Sequence, residues 1–149
     1  FFQIIKFSNY KFSLLNKNNS IIYNYQENPY FDNLEGGLYT ILIKDKNGCG
    51  IQSLEVSIIS YPKFFTPNDD GANDIWHIRG LGESFYKDGI VHIYNRYGKL
   101  IHILTMDDIG WDGRYQGKAL PSSDYWFEAQ LTTPKGANII KKGNFSLLR

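Results

Sequence analysis

Tyr61-Pro62-Lys63-Phe64-Phe65-Thr66-Pro67-Asn68-Asp69-Asp70-Gly71-Ala72-Asn73-Asp74-Ile75-Trp76-His77-Ile78 is the stretch on which the reading of the fold turns. Its start, through Phe65, is aromatic and calls for burial. Its middle, Thr66 to Asp74, holds two chain-benders: Pro67, which fixes φ, and Gly71, which permits φ > 0. The same segment carries aspartates and asparagines whose short side chains bond back to nearby backbone. Its end, Ile75 to Ile78, is expected to be a strand. A polar, tightly folded loop therefore sits between two apolar anchors, with one β unit before it and another after it.

Working outward toward the N-terminus, Tyr10 to Leu15 alternates and predicts a strand with Tyr10, Phe12 and Leu14 on one face. Ile21 to Tyr25 predicts a second strand, ended by Asn28-Pro29. Leu38 to Lys44 is a third, and Asp45-Lys46-Asn47-Gly48 is a hairpin signal because Asn-Gly tolerates φ > 0. Glu55 to Ser60 is expected to be the last strand of this half. The apolar opening, Phe1 to Phe7, has no basic region and no small-residue cleavage site, so it does not read as a signal peptide. It reads as a strand interior, as expected of a piece of a longer protein.

Toward the C-terminus, Gly89 to Asn95 predicts a strand with Val91 and Ile93 inward. Arg96-Tyr97-Gly98-Lys99 is a tight turn, and Leu100 to Leu104 returns as the second arm of a hairpin. Trp111-Asp112-Gly113 marks a polar bend. Tyr125 to Leu131 is an aromatic strand, and Ile139 to Leu148 is a closing strand interrupted by Gly143. Helical periodicity is absent, and short strands at regular turn spacing predict an all-β fold. The expected architecture is an immunoglobulin-like β-sandwich over residues 61–149, preceded by a second, partial β-sandwich unit over 1–60. The three tryptophans, Trp76, Trp111 and Trp126, are expected to supply much of the packing.

Composition bounds the function. Hydrophobic residues make up 42% of 149 and charged residues 21%, which suits a folded chain rather than a disordered one. Net charge is +1 and is spread over both halves, so there is no basic face for nucleic acid. No apolar run approaches the roughly 18 residues a spanning helix needs. The single cysteine, Cys49, has no partner within the chain. It reads as a small apolar residue, or as one half of a disulfide with an upstream segment.

The string from Tyr61 to Trp76 resembles the opening of the C-terminal sorting domain of gliding-motility-associated proteins, the type B signal of the type IX secretion system. Members of that family open Tyr-Pro-x-x-Phe-Thr-Pro-Asn-Gly-Asp-Gly-x-Asn-Asp-x-Trp, with Gly where Asp69 stands here. The resemblance continues in Tyr94-Asn95-Arg96-Tyr97-Gly98-Lys99-Leu100, in Trp111-Asp112-Gly113, in Leu120 to Trp126 and in Gly143-Asn144-Phe145-Ser146-Leu147. It implies a signal for export across the outer membrane and retention at the cell surface. The implied partners are the type IX translocon and an outer-membrane protein of the PorP/SprF type, with no small-molecule substrate and no cofactor. The half before Tyr61 resembles immunoglobulin-like repeats of bacterial adhesins, through Phe31-Asp32-Asn33-Leu34, Gly37-Leu38-Tyr39-Thr40 and Lys44 to Cys49. That implies an alternative role, an adhesive or glycan-binding module at the end of a surface adhesin.

Recognition by a partner calls for a surface loop and an accessible strand edge. The expected displayed residues are Thr66, Asn68, Asp70, Gly71, Asn73 and Asp74 in the loop, and Phe145, Leu147 and Arg149 in the final strand. The plain alternative for both segments is structure alone, a turn and a closing strand. Asn68, Asp70 and Asp74 are also spaced as oxygen ligands of a calcium loop, with Gly71 at the bend. The competing reading is a turn held by its own side chains, the commoner use of such residues. Catalytic patterns are missing: there is no His-Glu-x-x-His, no Gly-x-Ser-x-Gly and no phosphate loop. Asp107, Asp108, Asp112 and Asp124 show no spacing that selects an acid–base pair. The chain is expected to be non-enzymatic. Trp111 and Tyr125-Trp126-Phe127 could build a sugar platform or a core, and alternation along a strand favours the core.

Overall fold

In the computed structural model, which describes residues 9–149, the chain divides into two compact units between Ile59 and Ser60. The apolar opening Phe1 to Phe7 lies outside the described residues.

The first unit is one antiparallel sheet of β1 (Tyr10–Asn16), β2 (Ile21–Gln26), β3 (Gly37–Asp45) and β4 (Ile51–Ile58), in the order β2-β1-β3-β4. β1 and β3 are both interior strands, and of the two only β1 carries buried side chains: Phe12 and Leu14 are buried opposite Ile43 and Ile41. Buried Ser13 satisfies its hydroxyl by donating to Tyr23 O at 2.7 Å. β4 starts earlier than its expected start at Glu55, because its ladder with β3 runs back to Lys44↔Ile51 at the turn. The turn is set by Asp45, whose Oδ1 accepts the Asn47 N–H, and by Gly48 at φ 84°. This matches the Asn-Gly signal.

The second unit is built on a sheet of β5 (Phe64–Phe65), β6 (Asp88–Asn95), β7 (Leu100–Thr105), β10 (Ser123–Thr132) and β11 (Asn138–Leu147), in the order β5-β11-β10-β6-β7. β5 runs parallel to β11 and the other pairs are antiparallel. The run β11-β10-β6-β7 is the order of the G, F, C and C′ strands of an immunoglobulin-like sandwich. The opposite layer is thin. It consists of the bridges Ser60↔Arg79 and Trp76↔Trp111, with a ribbon of β8 (Arg114–Tyr115) and β9 (Lys118–Ala119) beside them.

Here the structure corrects the expectation of a strand over Ile75 to Ile78. Trp76 and Trp111 exchange N–H···O bonds at 2.9 Å in both directions, but the pairing lasts for that one residue. The partner segment turns away at Asp112-Gly113, where Asp112 Oδ1 accepts the Arg114 N–H and Gly113 sits at φ 78° with Leu147 against its Cα.

β10 shows the period-2 pattern plainly. Tyr125, Phe127, Ala129 and Leu131 are buried, and with them Val91, Ile93, Phe145 and Leu147 from the neighbouring strands. Trp76 and Trp111 lie over this face. Phe145 is the hub: its ring meets Trp76 (4.0 Å, stacked), Trp111, Tyr125, Phe65 and Phe127. Each buried indole N–H is satisfied, by Pro62 O at 3.0 Å for Trp76 and by Arg114 O at 2.9 Å for Trp111. A Cβ on Gly143 would run into the Tyr61 phenol and Phe127, which is why a glycine interrupts β11. The third tryptophan departs from expectation. Trp126 falls on the outer face of β10 and is 44% exposed.

Candidate functional site: a preset polar loop

The loop from Thr66 to Asp74 leaves the end of β5 and returns beneath Trp76. Its neck is closed by Thr66 N–H donating to Asn73 O at 2.8 Å. Asp74 organises the interior. Its Oδ1 accepts from the N–H of Asn68 (2.9 Å) and Asp69 (2.7 Å), and its Oδ2 from Gly71 N–H (2.7 Å). Desolvation pushes the Asp74 pKa up, but the backbone N–H groups of Gly71, Asp69, Asn68 and Asp70 outweigh it, and the net shift is downward. The Asp70 carboxylate also accepts within the loop, from Ala72 N–H and from the Asn68 amide. Asn68 Oδ1 in turn accepts the Asp70 N–H at 3.2 Å.

This network needs left-handed backbone. Asp69, Gly71 and Asn73 have φ of 62°, 86° and 54°. Asp69 occupies the position where the sorting-domain pattern carries Gly, and it keeps the conformation a glycine favours. Asp and Asn visit that region more readily than other side-chain-bearing residues.

Arg149 fixes the loop to the rest of the unit. Its guanidinium donates from Nη1 to Pro67 O (2.9 Å), from Nε to Leu120 O (2.8 Å) and, more weakly, from Nη2 to Gly113 O (3.4 Å). Its backbone N–H donates to Ser122 Oγ at 2.8 Å. One side chain thus joins the base of the loop, the Trp111-Asp112-Gly113 bend and the approach to β10. Nothing in local sequence signals this bond, which spans 82 residues to Pro67.

Of the expected displayed residues, Thr66, Asn68, Asp70, Gly71, Asn73, Asp74 and Arg149 are brought together at this one end of the unit. Phe145 and Leu147 are not displayed. Both are buried in the aromatic core, and the adjoining strand edge is occupied, since Ser146 N–H and Leu148 N–H donate to Lys63 O and Phe65 O of the β5 segment. The oxygens of Asp70 and Asp74 already accept hydrogen bonds within the loop. Among the described residues no group of three or more His, Cys, Asp or Glu converges as metal ligands would. Of the sugar-platform candidates, Trp111, Tyr125 and Phe127 are core residues and Trp126 alone faces outward.

The CHU_C type IX secretion signal domain matches residues 59–147, a span that takes in the loop, the aromatic layer and the whole five-stranded sheet. The chain belongs to that family, and its second unit is a type IX secretion signal domain. A solved structure titled "Crystal structure of tetra-tandem repeat in extending region of large adhesion protein" is similar at 14% identity and a TM-score of 0.28, covering 93% of this chain and 41% of that one. Curated proteins give no match.

Proposed function

We propose that residues 60–149 direct the parent protein through the type IX system to the outer face of the outer membrane and hold it there, with the Thr66–Asp74 loop and Arg149 as the surface the machinery reads. The family match over residues 59–147 carries this reading. The loop supports it physically. Its backbone is already bonded in one conformation, so a partner that docks on it does not meet the cost of ordering it. Its exposed polar rim suits a contact that must be made and released. A PorP/SprF-type outer-membrane protein and the translocon are the proposed partners, and no catalytic step is assigned to the chain.

The adhesin reading places the action elsewhere, in contact with another surface, and deletion separates the two. Removing residues 60–149 from the parent protein is expected to leave it in the periplasm. Export of the truncated protein to the surface, with adhesion alone lost, would overturn the sorting role in favour of the adhesive one.

A further inference from the structure

The outer face of the five-stranded sheet carries a feature that neither the core nor the loop uses. Alternation along β10 that buries Tyr125 and Phe127 turns Trp126 outward. Across the sheet, Trp126 lies in one row with Asn144 on β11 and Tyr94 on β6. A hollow of about 380 Å³ opens on one side of the indole, lined by Tyr94, Glu128, Lys142 and Asn144. A second, of about 280 Å³, opens beside it, lined by Arg96, Ser122, Asp124 and Ser146. Trp126 lines both. The larger hollow falls within the range of small-ligand sites, about 300–1,000 Å³, and the smaller lies just under it.

The chemistry of the rim narrows the ligand. The charged side chains are Arg96 and Lys142 against Asp124 and Glu128, two of each sign, so the site carries no net charge. Lys142 Nζ meets Glu128 Oε2 at 2.7 Å, and Ser146 Oγ donates to Asp124 Oδ1 at 2.5 Å. Acids and bases that neutralise each other offer no gain to a phosphate or a polyanion. They do present donors and acceptors in alternation around an apolar ring. A pyranose matches that pattern, with one face of C–H groups to lie on the indole and a rim of hydroxyls that both donate and accept.

We propose that the Trp126 face is a binding site for a neutral oligosaccharide, with one sugar ring on the indole and its neighbours in the two hollows. This site is separate from the loop and does not rest on the sorting role.

The protein offers a built-in reporter. Trp76 and Trp111 are buried at 0% and 1% exposure, so a ligand that alters tryptophan emission without unfolding the chain acts through Trp126. The full chain is titrated separately with maltohexaose, cellohexaose, N-acetylchitohexaose and mannohexaose to about 1 mM, the weak end of specific binding. A saturable emission change with at least one of them is expected. Because the Trp126 variants lack that reporter, their binding is read by isothermal titration calorimetry beside the wild-type chain: Trp126→Ala should weaken it at least about tenfold, Trp126→Tyr should retain it, and Asn144→Ala, which keeps the ring, should weaken it too. Melting temperatures of the variants serve as the folding control. The proposal is overturned if all four sugars are silent, or if calorimetric binding survives Trp126→Ala undiminished. It is also overturned if the wild-type chain self-associates through this face, seen as a dimer that Trp126→Ala dissolves with no sugar response in either protein.

Discussion

The two units use similar strands to different effect. Among the described residues, the buried apolar side chains of the first unit are Phe12 and Leu14, whereas the second buries fourteen, Phe65 through Leu147. Ile21, Ile51 and Leu54 of the first unit are more than half exposed. Alternating strands alone do not make a core. The second unit has one because two tryptophans, paired through a single bridge, lie across the inner face of its sheet. The polar loop is held just where that aromatic layer begins. This covering layer closes the second unit's core and ties it, through Trp76 Nε1–H to Pro62 O, to the segment that leads into the loop.

The largest expected effect tests the aromatic hub. Phe145→Ala should cost about 3–5 kcal/mol of the second unit's stability, read as a lowered urea midpoint by tryptophan fluorescence. Leu14→Ala should leave that transition where it is. If both substitutions move the same transition equally, the two units are one cooperative body and the contrast fails.

Arg149→Ala comes next, at about 1 kcal/mol from lost hydrogen bonds. It is expected to speed amide exchange in the loop and at the Gly113 bend while leaving β10 and β6 protected. Unchanged exchange at the loop would show that Arg149 does not anchor it.

A smaller, local effect follows from Asp74. A carboxylate with a depressed folded-state pKa contributes stability above its unfolded value, and that contribution is lost as pH falls through the folded one. Loop amides Asn68, Asp69 and Gly71 should therefore lose protection below the ordinary aspartate value of 3.8, and Asp74→Asn should abolish the pH dependence. A loop whose exchange follows only the intrinsic acid dependence would contradict the assignment.

Calcium should do least. Asp74 already uses three of its acceptor sites on backbone N–H groups, so no shift in melting temperature is expected at millimolar calcium. A clear upward shift would restore the calcium-loop reading of Asn68, Asp70 and Asp74.

Much of this was legible in the chain itself. The hairpin around Arg96-Tyr97-Gly98, the inward Val91 and Ile93 and the strand at Tyr125 follow from alternation and turn chemistry. The loop's self-bonding was readable as one option from its aspartates and asparagines. Other features depended on distant contacts. Ile75 to Ile78 looks like a strand, yet becomes a bridge because its partner turns away at Gly113. Phe145 and Leu147 look available near the end of the chain until β5 closes beside them. Arg149 has no local pattern that names Pro67, Gly113 and Leu120 as its acceptors. By residue type Trp126 belongs with the core tryptophans, yet its strand register, one step from Tyr125 and Phe127, puts it outside.

The most direct measurement is a fusion of residues 60–149 to a periplasmic reporter in cells with an active type IX system, scored by protease accessibility of the reporter at the cell surface. Surface reporter is expected with the native segment and its loss with Asp74→Asn and Arg149→Ala combined. A native fusion that folds yet stays in the periplasm would contradict the claim that this unit is sufficient as the signal.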